Sequence, residues 1–259
     1  MGCGFDGKKY ESSSLHQKEW GEKVIEELGL KGSEHILDLG CGNGLITKAL
    51  AERVPEGRVV GVDSSHSMLE RARFHKLENM EFLLSDINDI NFKEEFDIVF
   101  SNAAMHWIKD HNSVLHKIHA SLKPNGILRM QFAGEGNCPT LIRILKESMD
   151  SSVFGEIVHD FEWPWYMPHA ESYEEILSSA GFREYRVWME DADRYFPDEQ
   201  SFAGWIEQPS LVPFMNALPE DNSALFRDMV IEKAKEAALQ SDGTYFEAFR
   251  RINVSAVKE

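Results

Sequence analysis

The apolar run Ile36-Leu37-Asp38-Leu39 stops at Gly40-Cys41-Gly42-Asn43-Gly44, and a helical apolar pattern begins at Leu45. A short apolar run closed by alternating glycines and followed by a helical period reads as strand, tight turn and helix start. Glycine lets the backbone turn sharply there and approach a ligand closely. The next helix presents unpaired N–H groups and the positive end of its dipole, a seat suited to an anionic group. A chain built on this unit is constrained to folds in which a strand delivers a ligand loop onto a helix.

The unit repeats downstream in pattern. A helix is expected from about Ser14 to Leu28, where Trp20, Val24, Ile25 and Leu28 recur at helical spacing. The strand His35–Leu39 and helix Leu45–Arg53 come next, then a strand from Arg58 ending at Asp63, and a helix capped by Ser64 or Ser65 and running to His75. Further strands are expected at Met80–Leu84 and Phe96–Phe100, a helix at 111–122, a turn at Lys123-Pro124-Asn125-Gly126 and a strand at Ile127–Phe132. Strands alternating with helices imply parallel pairing and right-handed crossovers, hence an α/β, doubly wound Rossmann-like sheet with ligands beyond the carboxyl ends of its strands.

The second half is less regular. A helix is expected over 138–150, a loop over 161–168, a helix over 171–180 and a strand over 182–189. Residues 197–240 read as mostly helical, broken by Pro209, Pro213 and Pro219, and Tyr245–Val257 reads as one closing strand. This predicts a single domain: an N-terminal helical segment (1–34), a ligand-binding core (35–133), a variable region with a sixth strand (134–196), a helical lid (197–243) and a last strand (244–259).

The polar residues at the strand ends narrow the ligand. A dinucleotide fingerprint requires a third glycine where this chain has Leu45. Asp63, ending the second strand, is placed to accept from ribose hydroxyls, and Asp86, after the third, suits an adenine amino group. Asp38 can hold an ammonium through water. Glycine turn, ribose acid and adenine-side acid together describe an adenosyl ligand without a pyrophosphate, and Leu45 disfavours a nicotinamide-dependent oxidoreductase.

These segments resemble class I S-adenosylmethionine (SAM)-dependent methyltransferases. Residues 36–44 resemble motif I, 60–68 the segment after it, Phe96-Asp97-Ile98-Val99-Phe100-Ser101-Asn102-Ala103-Ala104 motif IV, and 122–127 the turn before strand five. The resemblance implies a seven-stranded sheet with an antiparallel last strand. It also implies cofactor binding by Asp38, Gly40, Cys41, Gly42, Asp63, Ser64, Met68, Asp86, Ile87, Asn102 and Ala103, with S-adenosylhomocysteine (SAH) as product.

The residues in and just after motif IV narrow the acceptor. Ser101-Asn102-Ala103-Ala104 departs from the Asn/Asp-Pro-Pro-Tyr of base and amide methyltransferases, and Met105-His106-Trp107 is similar to the trans-aconitate, malonyl-acyl-carrier-protein and juvenile hormone acid methyltransferase group. Gly204-Trp205-Ile206, Pro213-Phe214, Asp242-Gly243-Thr244 and Phe249-Arg250-Arg251-Ile252 resemble the C-terminal pattern of the trans-aconitate group. That group methylates carboxylates, which are ionised at neutral pH and need no base. Alignment and desolvation would then carry the displacement. A second reading is a C- or O-methyltransferase on another small metabolite, with His106 as base, and a third is a SAM-binding protein without catalysis. Substrate contacts are expected from Tyr10, Gln17, His106 and Trp107. An acid substrate also wants a cation, for which Arg143, Arg183, Arg186, Arg194, Arg250 and Arg251 are candidates.

Composition sets the remaining bounds. Lys and Arg number 27 against 44 Asp and Glu, a net charge of −17, and no basic cluster offers a face to nucleic acid. The three cysteines at 3, 41 and 138 form no disulfide framework, and Met1 to Lys9 lacks the apolar region of a signal peptide, so a cytoplasmic protein with no membrane partner is expected. His111, His116 and His119 complete no metal spacing and read as an exposed helical face, and no metal site is expected. Cys41 has no readable Cys–His arrangement and is not expected to act as a nucleophile. None of these patterns defines an oligomeric state.

Overall fold

The computed structural model describes residues 15–259 apart from 152, 156, 158 and 159, with backbone alone at 15–18 and 209. It divides into two compact units. The first comprises Leu15–Glu135, Trp165–Glu190 and Arg251–Glu259, and the second Gly136–Pro164 and Asp191–Arg250 among the described residues.

The first unit is a sheet layered by helices. Its elements are α1 (Leu15–Glu26), β1 (His35–Leu39), α2 (Leu45–Arg53), β2 (Arg58–Asp63), α3 (His66–Ala72), β3 (Met80–Leu84), β4 (Phe96–Asn102), α4 (His111–Ser121), β5 (Leu122–Ala133), α6 (Ala170–Ser179), β6 (Glu184–Asp191) and β9 (Arg250–Val257). The strands stand in the order β3-β2-β1-β4-β5-β9-β6. β1 to β5 pair in parallel and β9 runs antiparallel to β5. This is the expected doubly wound seven-stranded sheet with an antiparallel closing strand. The pleat sorts each strand's residues between two cores. Ile36 joins Val24, Ile25, Leu50 and Val59 under α1 and α2. Leu37 and Leu39 join Leu115, Ile118, Tyr173 and Leu177 under α4 and α6.

The second unit contains α5 (Pro139–Met149), β7 (Arg194–Phe196), α7 (Glu199–Trp205), α8 (Val212–Asn216), α9 (Glu220–Ala238) and β8 (Tyr245–Glu247). Its core is aromatic: Phe154, Phe202, Phe214 and Phe226 are fully buried. The carboxylate of buried Glu247 accepts the Thr140 and Leu141 N–H groups at 3.3 and 3.0 Å, capping the first turn of α5 with negative charge.

The structure corrects several sequence expectations. The single strand Tyr245–Val257 is two strands. Its first part pairs with β7, a strand the pattern did not reveal, and its second with β5. The break falls at Ala248-Phe249, where the Phe249 N–H turns to Asp193 Oδ1 at 3.1 Å and leaves the ladder. The sixth strand begins at Glu184 rather than Phe182, because Phe182 is drawn into the core beside His119. The turn at Lys123–Gly126 lies inside β5 as a bulge: register with β4 jumps from Phe96↔Leu122 to Ile98↔Ile127, and Asn125 adopts φ 63°. His111 is buried, not exposed. Its ring fills a space between Phe132 and Tyr173 and both its nitrogens are bonded, so a core position costs it little.

Candidate active site

The carboxyl ends of β1, β2 and β4 bring most of the expected residues together. The N–H groups of Gly40 and Cys41 donate to the Val62 carbonyl at 2.8 and 3.0 Å, which folds the glycine turn over the end of β2. Gly40 has φ 74°, and a Cβ there would stand 2.2 Å from the Ala104 Cβ. The glycine thus lets the β1 turn touch the loop after β4. A Cβ at Gly42, by contrast, would meet nothing within 4 Å, so this part of the turn faces open space.

Asp63 is the hinge of the site. Its Oδ2 accepts the Gly42 N–H at 2.9 Å and its Oδ1 accepts the Ser65 N–H at 2.8 Å. Burial raises its pKa, opposed by these two amides. Asp38 is more deeply enclosed, bonded by the Thr47 hydroxyl at 2.7 Å, and burial pushes its carboxyl up to about 7, with the Asp63 charge adding to the rise. The two acids stand on neighbouring strands, Asp38 within β1 and Asp63 at the end of β2, and burial raises the pKa of both, further at the more deeply enclosed Asp38.

The remaining cofactor candidates divide by position. Met68 and Ile87 are buried, and the Ile87 Cδ1 would lie 3.7 Å from a Gly40 Cβ, so Ile87 can wall the turn. Ser64 and Asp86 are exposed. Asp86 accepts both the backbone and side-chain N–H groups of Asn88 at 2.8 Å, capping the 3-10 turn Ile87–Asp89. The Cys41 thiol packs with Leu69, Ala72 and Phe82, and burial holds it protonated, so it stands as a core side chain with its backbone in the turn. Asn102 ends β4 in register with Gln131. Ala103 comes next at φ 57°, its N–H bonded to the Gln131 carbonyl at 2.8 Å. A non-glycine residue in the left-handed region at a strand end is strain of the kind functional sites retain.

His106 and Trp107 sit on the 3-10 turn Met105–Trp107 after β4. The His106 carbonyl accepts the Tyr166 N–H at 2.9 Å, and the Trp107 ring meets Trp165 edge-on at 5.8 Å. The His106 Nδ1 is buried without a hydrogen-bond partner among the described residues. Burial holds its pKa well below the ordinary range, and the Arg251 and His111 charges push the same way. The turn is fixed from behind by His111, whose Nε2 lies 2.9 Å from the Met105 carbonyl. Gln17 lies on α1, where the backbone alone is described, and Tyr10 falls outside the described residues.

Two contributors were not singled out by the sequence. Gln131 is buried with its Oε1 lacking a partner among the described residues, and its Nε2 donates to Asn253 Oδ1 at 3.1 Å. Gly21 on α1 stands so close to β4 that a Cβ would lie 2.9 Å from Asn102 Nδ2. Both are legible only once the strands are in register.

A doubly wound sheet with strand order β3-β2-β1-β4-β5-β9-β6, a glycine turn after β1 and an acid ending β2 defines the class I methyltransferase fold. The chain belongs to the methyltransferase-domain family, which it matches over residues 30–192. It is 28% identical over 235 residues to trans-aconitate 2-methyltransferase of Acidovorax sp. (strain JS42), covering 90% of each chain. It is 27% identical over 239 residues to trans-aconitate 2-methyltransferase of Escherichia coli O157:H7 (strain EC4115 / EHEC), again over 90% of each. Among solved structures, the YcgJ protein of Bacillus subtilis shares the fold with a TM-score of 0.64 at 17% identity, covering 93% of this chain and 99% of that one. No helix of the described residues is long and apolar enough to cross a membrane.

Proposed function

We propose that this methyltransferase moves the methyl group of SAM to the carboxylate of a small organic or acyl-chain acid. SAM, when bound, supplies a methyl group activated on a sulfonium. The turn fits such a ligand: the space beside Gly42 is open, and the Asp63 carboxylate stands at its edge. Gly40, Gly42, Asp63, Met68, Ile87 and the backbone at Asn102 and Ala103 would hold it. Ser64 and Asp86 would complete the exposed side, Asp38 would answer an ammonium, and Cys41 would contribute backbone. His106, Trp107 and, from the N-terminal segment, Tyr10 and Gln17 would face the acceptor.

The observation that carries the choice of acceptor is the state of His106. A general base works best with a pKa near the operating pH. Burial and the Arg251 charge hold this imidazole neutral and weakly basic, which argues against proton abstraction. A carboxylate needs no base, and the neighbouring cation suits an anion. The chain's own contribution is then to align the acceptor and exclude water. That the relatives are trans-aconitate 2-methyltransferases supports the same reading.

The test begins with calorimetric titration of SAH against NAD as control, in the wild type and in Asp63→Ala. The expected result is micromolar SAH binding, about −8 kcal/mol, with no heat from NAD. Labelled SAM is then offered with carboxylic acids, phenols and alcohols. Transfer to acids supports the proposal. Transfer to phenols or alcohols that His106→Ala abolishes would replace it with base catalysis, and SAH binding without transfer to any acceptor would leave a binding protein.

A further inference from the structure

We propose that the side-chain oxygen of Gln131, oriented by Asn253, receives the α-ammonium of SAM and fixes the methionine end of the cofactor from strand β5. This rests on SAM as the cofactor and is independent of which acceptor takes the methyl group.

The sequence supplies an amide, and its neighbours decide which end of it is offered. The oxygen and nitrogen of an amide are told apart by what they bond. Arg129 can only donate. Its Nη2 reaches Glu27 Oε2 at 2.7 Å and Asn253 Oδ1 at 2.9 Å, so the Asn253 atom facing it is the carbonyl oxygen. The other end of Asn253 donates to Glu190 Oε2 at 3.2 Å, on a carboxylate that also pairs with Lys23. An obligate donor and a carboxylate thus hold Asn253 in one orientation. The Gln131 atom that lies 3.1 Å from Asn253 Oδ1 must then be its amino nitrogen. What remains is Gln131 Oε1, an acceptor. Gln131 is 2% exposed, and this oxygen has no partner among the described residues. A buried acceptor left unpaired costs free energy that a ligand donor would recover.

Register places that oxygen. Gln131 stands opposite Asn102 on β4 and Asn253 on β9, and its own carbonyl receives the Ala103 N–H. Two residues back, Arg129 is opposite Phe100, and Phe100 is opposite Asp38. Paired residues share a face, and so do residues two apart on one strand. Gln131 therefore projects to the same face as Asp38, the side where Ile36 and Phe100 pack with Val24 and Leu50. It lies one pleat repeat nearer the carboxyl ends of the parallel strands than the row that holds Asp38.

The strand order gives the ligand a direction. From the edge inward it runs β3, β2, β1, β4, β5. Asp86 follows β3, Asp63 ends β2 and the glycine turn follows β1. A cofactor whose adenine answers to Asp86 and whose ribose answers to Asp63 crosses the turn toward β4 and β5. Its hydrogen-bond donors are the adenine amino group, the ribose hydroxyls and the α-ammonium. Only the ammonium is left for an acceptor on β5. A neutral amide oxygen suits that cation, because a hydrogen bond from a charged donor is strong and no second buried carboxylate is added on the face of Asp38.

The test is calorimetric titration of the wild type, Gln131→Met, Gln131→Glu and Asn253→Ala with two probes: SAH, and deaminated SAH, in which hydrogen replaces the amino group and the carboxylate is kept. Thermal unfolding on the same samples reports the fold. The wild type should prefer SAH. Gln131→Met, close in shape but without the oxygen, should bind SAH roughly ten- to hundredfold more weakly and deaminated SAH unchanged. Gln131→Glu retains an acceptor and should keep the preference for SAH. Asn253→Ala frees the amide to turn over and should lose part of it. Equal weakening of both probes in Gln131→Met would make Gln131 a packing residue and overturn the proposal, as would a wild type that binds the two probes alike. Unchanged preference in Asn253→Ala would overturn the orienting role of the network. If Gln131→Met does not fold, Gln131→Glu decides by the same ratio, and loss of the preference there overturns the proposal. A folded wild type that binds neither probe would instead sink SAM as the cofactor, whereas SAH binding without methyl transfer to any acid would sink the carboxylate reading and leave this one standing.

Discussion

Asp63 Oδ2 accepts the backbone N–H of Gly42 at 2.9 Å, tying the end of β2 to the glycine turn after β1. This one bond sets both the shape of the turn and the place of the carboxylate, so Asp63→Ala should harm the ligand more than the fold. We expect SAH to bind about ten- to hundredfold more weakly. The melting temperature should move by no more than about 4–8 °C. Calorimetry and thermal unfolding on the same preparation separate the two effects. Unchanged SAH affinity would remove Asp63 from the cofactor site.

Gly40→Ala should act in the opposite proportion. The added Cβ would stand 2.2 Å from Ala104 Cβ, and φ 74° is already unfavourable for a side chain. Relief requires moving either β1's turn or the loop after β4. The expected loss is about 3 kcal/mol or more in urea unfolding, together with loss of SAH binding.

Asp38 and His111 should pull the pH dependence of stability in opposite directions. The Asp38 carboxyl titrates near 7 in the folded chain against 3.8 as its ordinary value. Between those values the folded state holds the extra proton, so this group lowers stability as pH rises and the loss is complete above about 7. Burial lowers the His111 pKa to about 4 from 6.5. There the unfolded state holds the extra proton, so stability is full above 6.5 and falls as pH drops toward 4. Asp38→Asn should therefore gain stability relative to the wild type as pH rises from 4 to 7, by an amount on the order of a few kcal/mol. Unfolding midpoints across that range check the sign, and a parallel pair of curves would show that Asp38 has no raised pKa.

Tyr173→Phe probes the support beneath His106. A carbonyl can only accept, so His111 Nε2 donates to Met105 and its Nδ1 accepts from the Tyr173 hydroxyl at 2.8 Å. Removing the hydroxyl leaves a buried nitrogen unpaired, at a cost of about 1–3 kcal/mol. Urea unfolding should show that loss, and SAH affinity should hold, because the Asp63–Gly42 bond lies on other strands.

Local and periodic features were readable from the residues alone. The bounds of β1, α2 and β3 follow from short apolar runs between glycine, proline and polar breaks, and they hold in the structure. The glycine turn and Asp63 were legible for the same reason, since each sits at or just beyond a strand end, and parallel strands put those ends on one rim. Other features came only with tertiary contacts. Ala248-Phe249 breaks an otherwise strand-like stretch because its two halves find different partners, β7 and β5. His111 looks like a surface histidine on a helix until Tyr173 and Met105 close around it. Arg251 is one of several arginines in the chain's second half until β9 turns antiparallel and lays it on Trp20 at the ligand end. Periodicity reports which face a residue takes within its own element, whereas burial of a charge depends on register between elements far apart in the chain, which no local window contains.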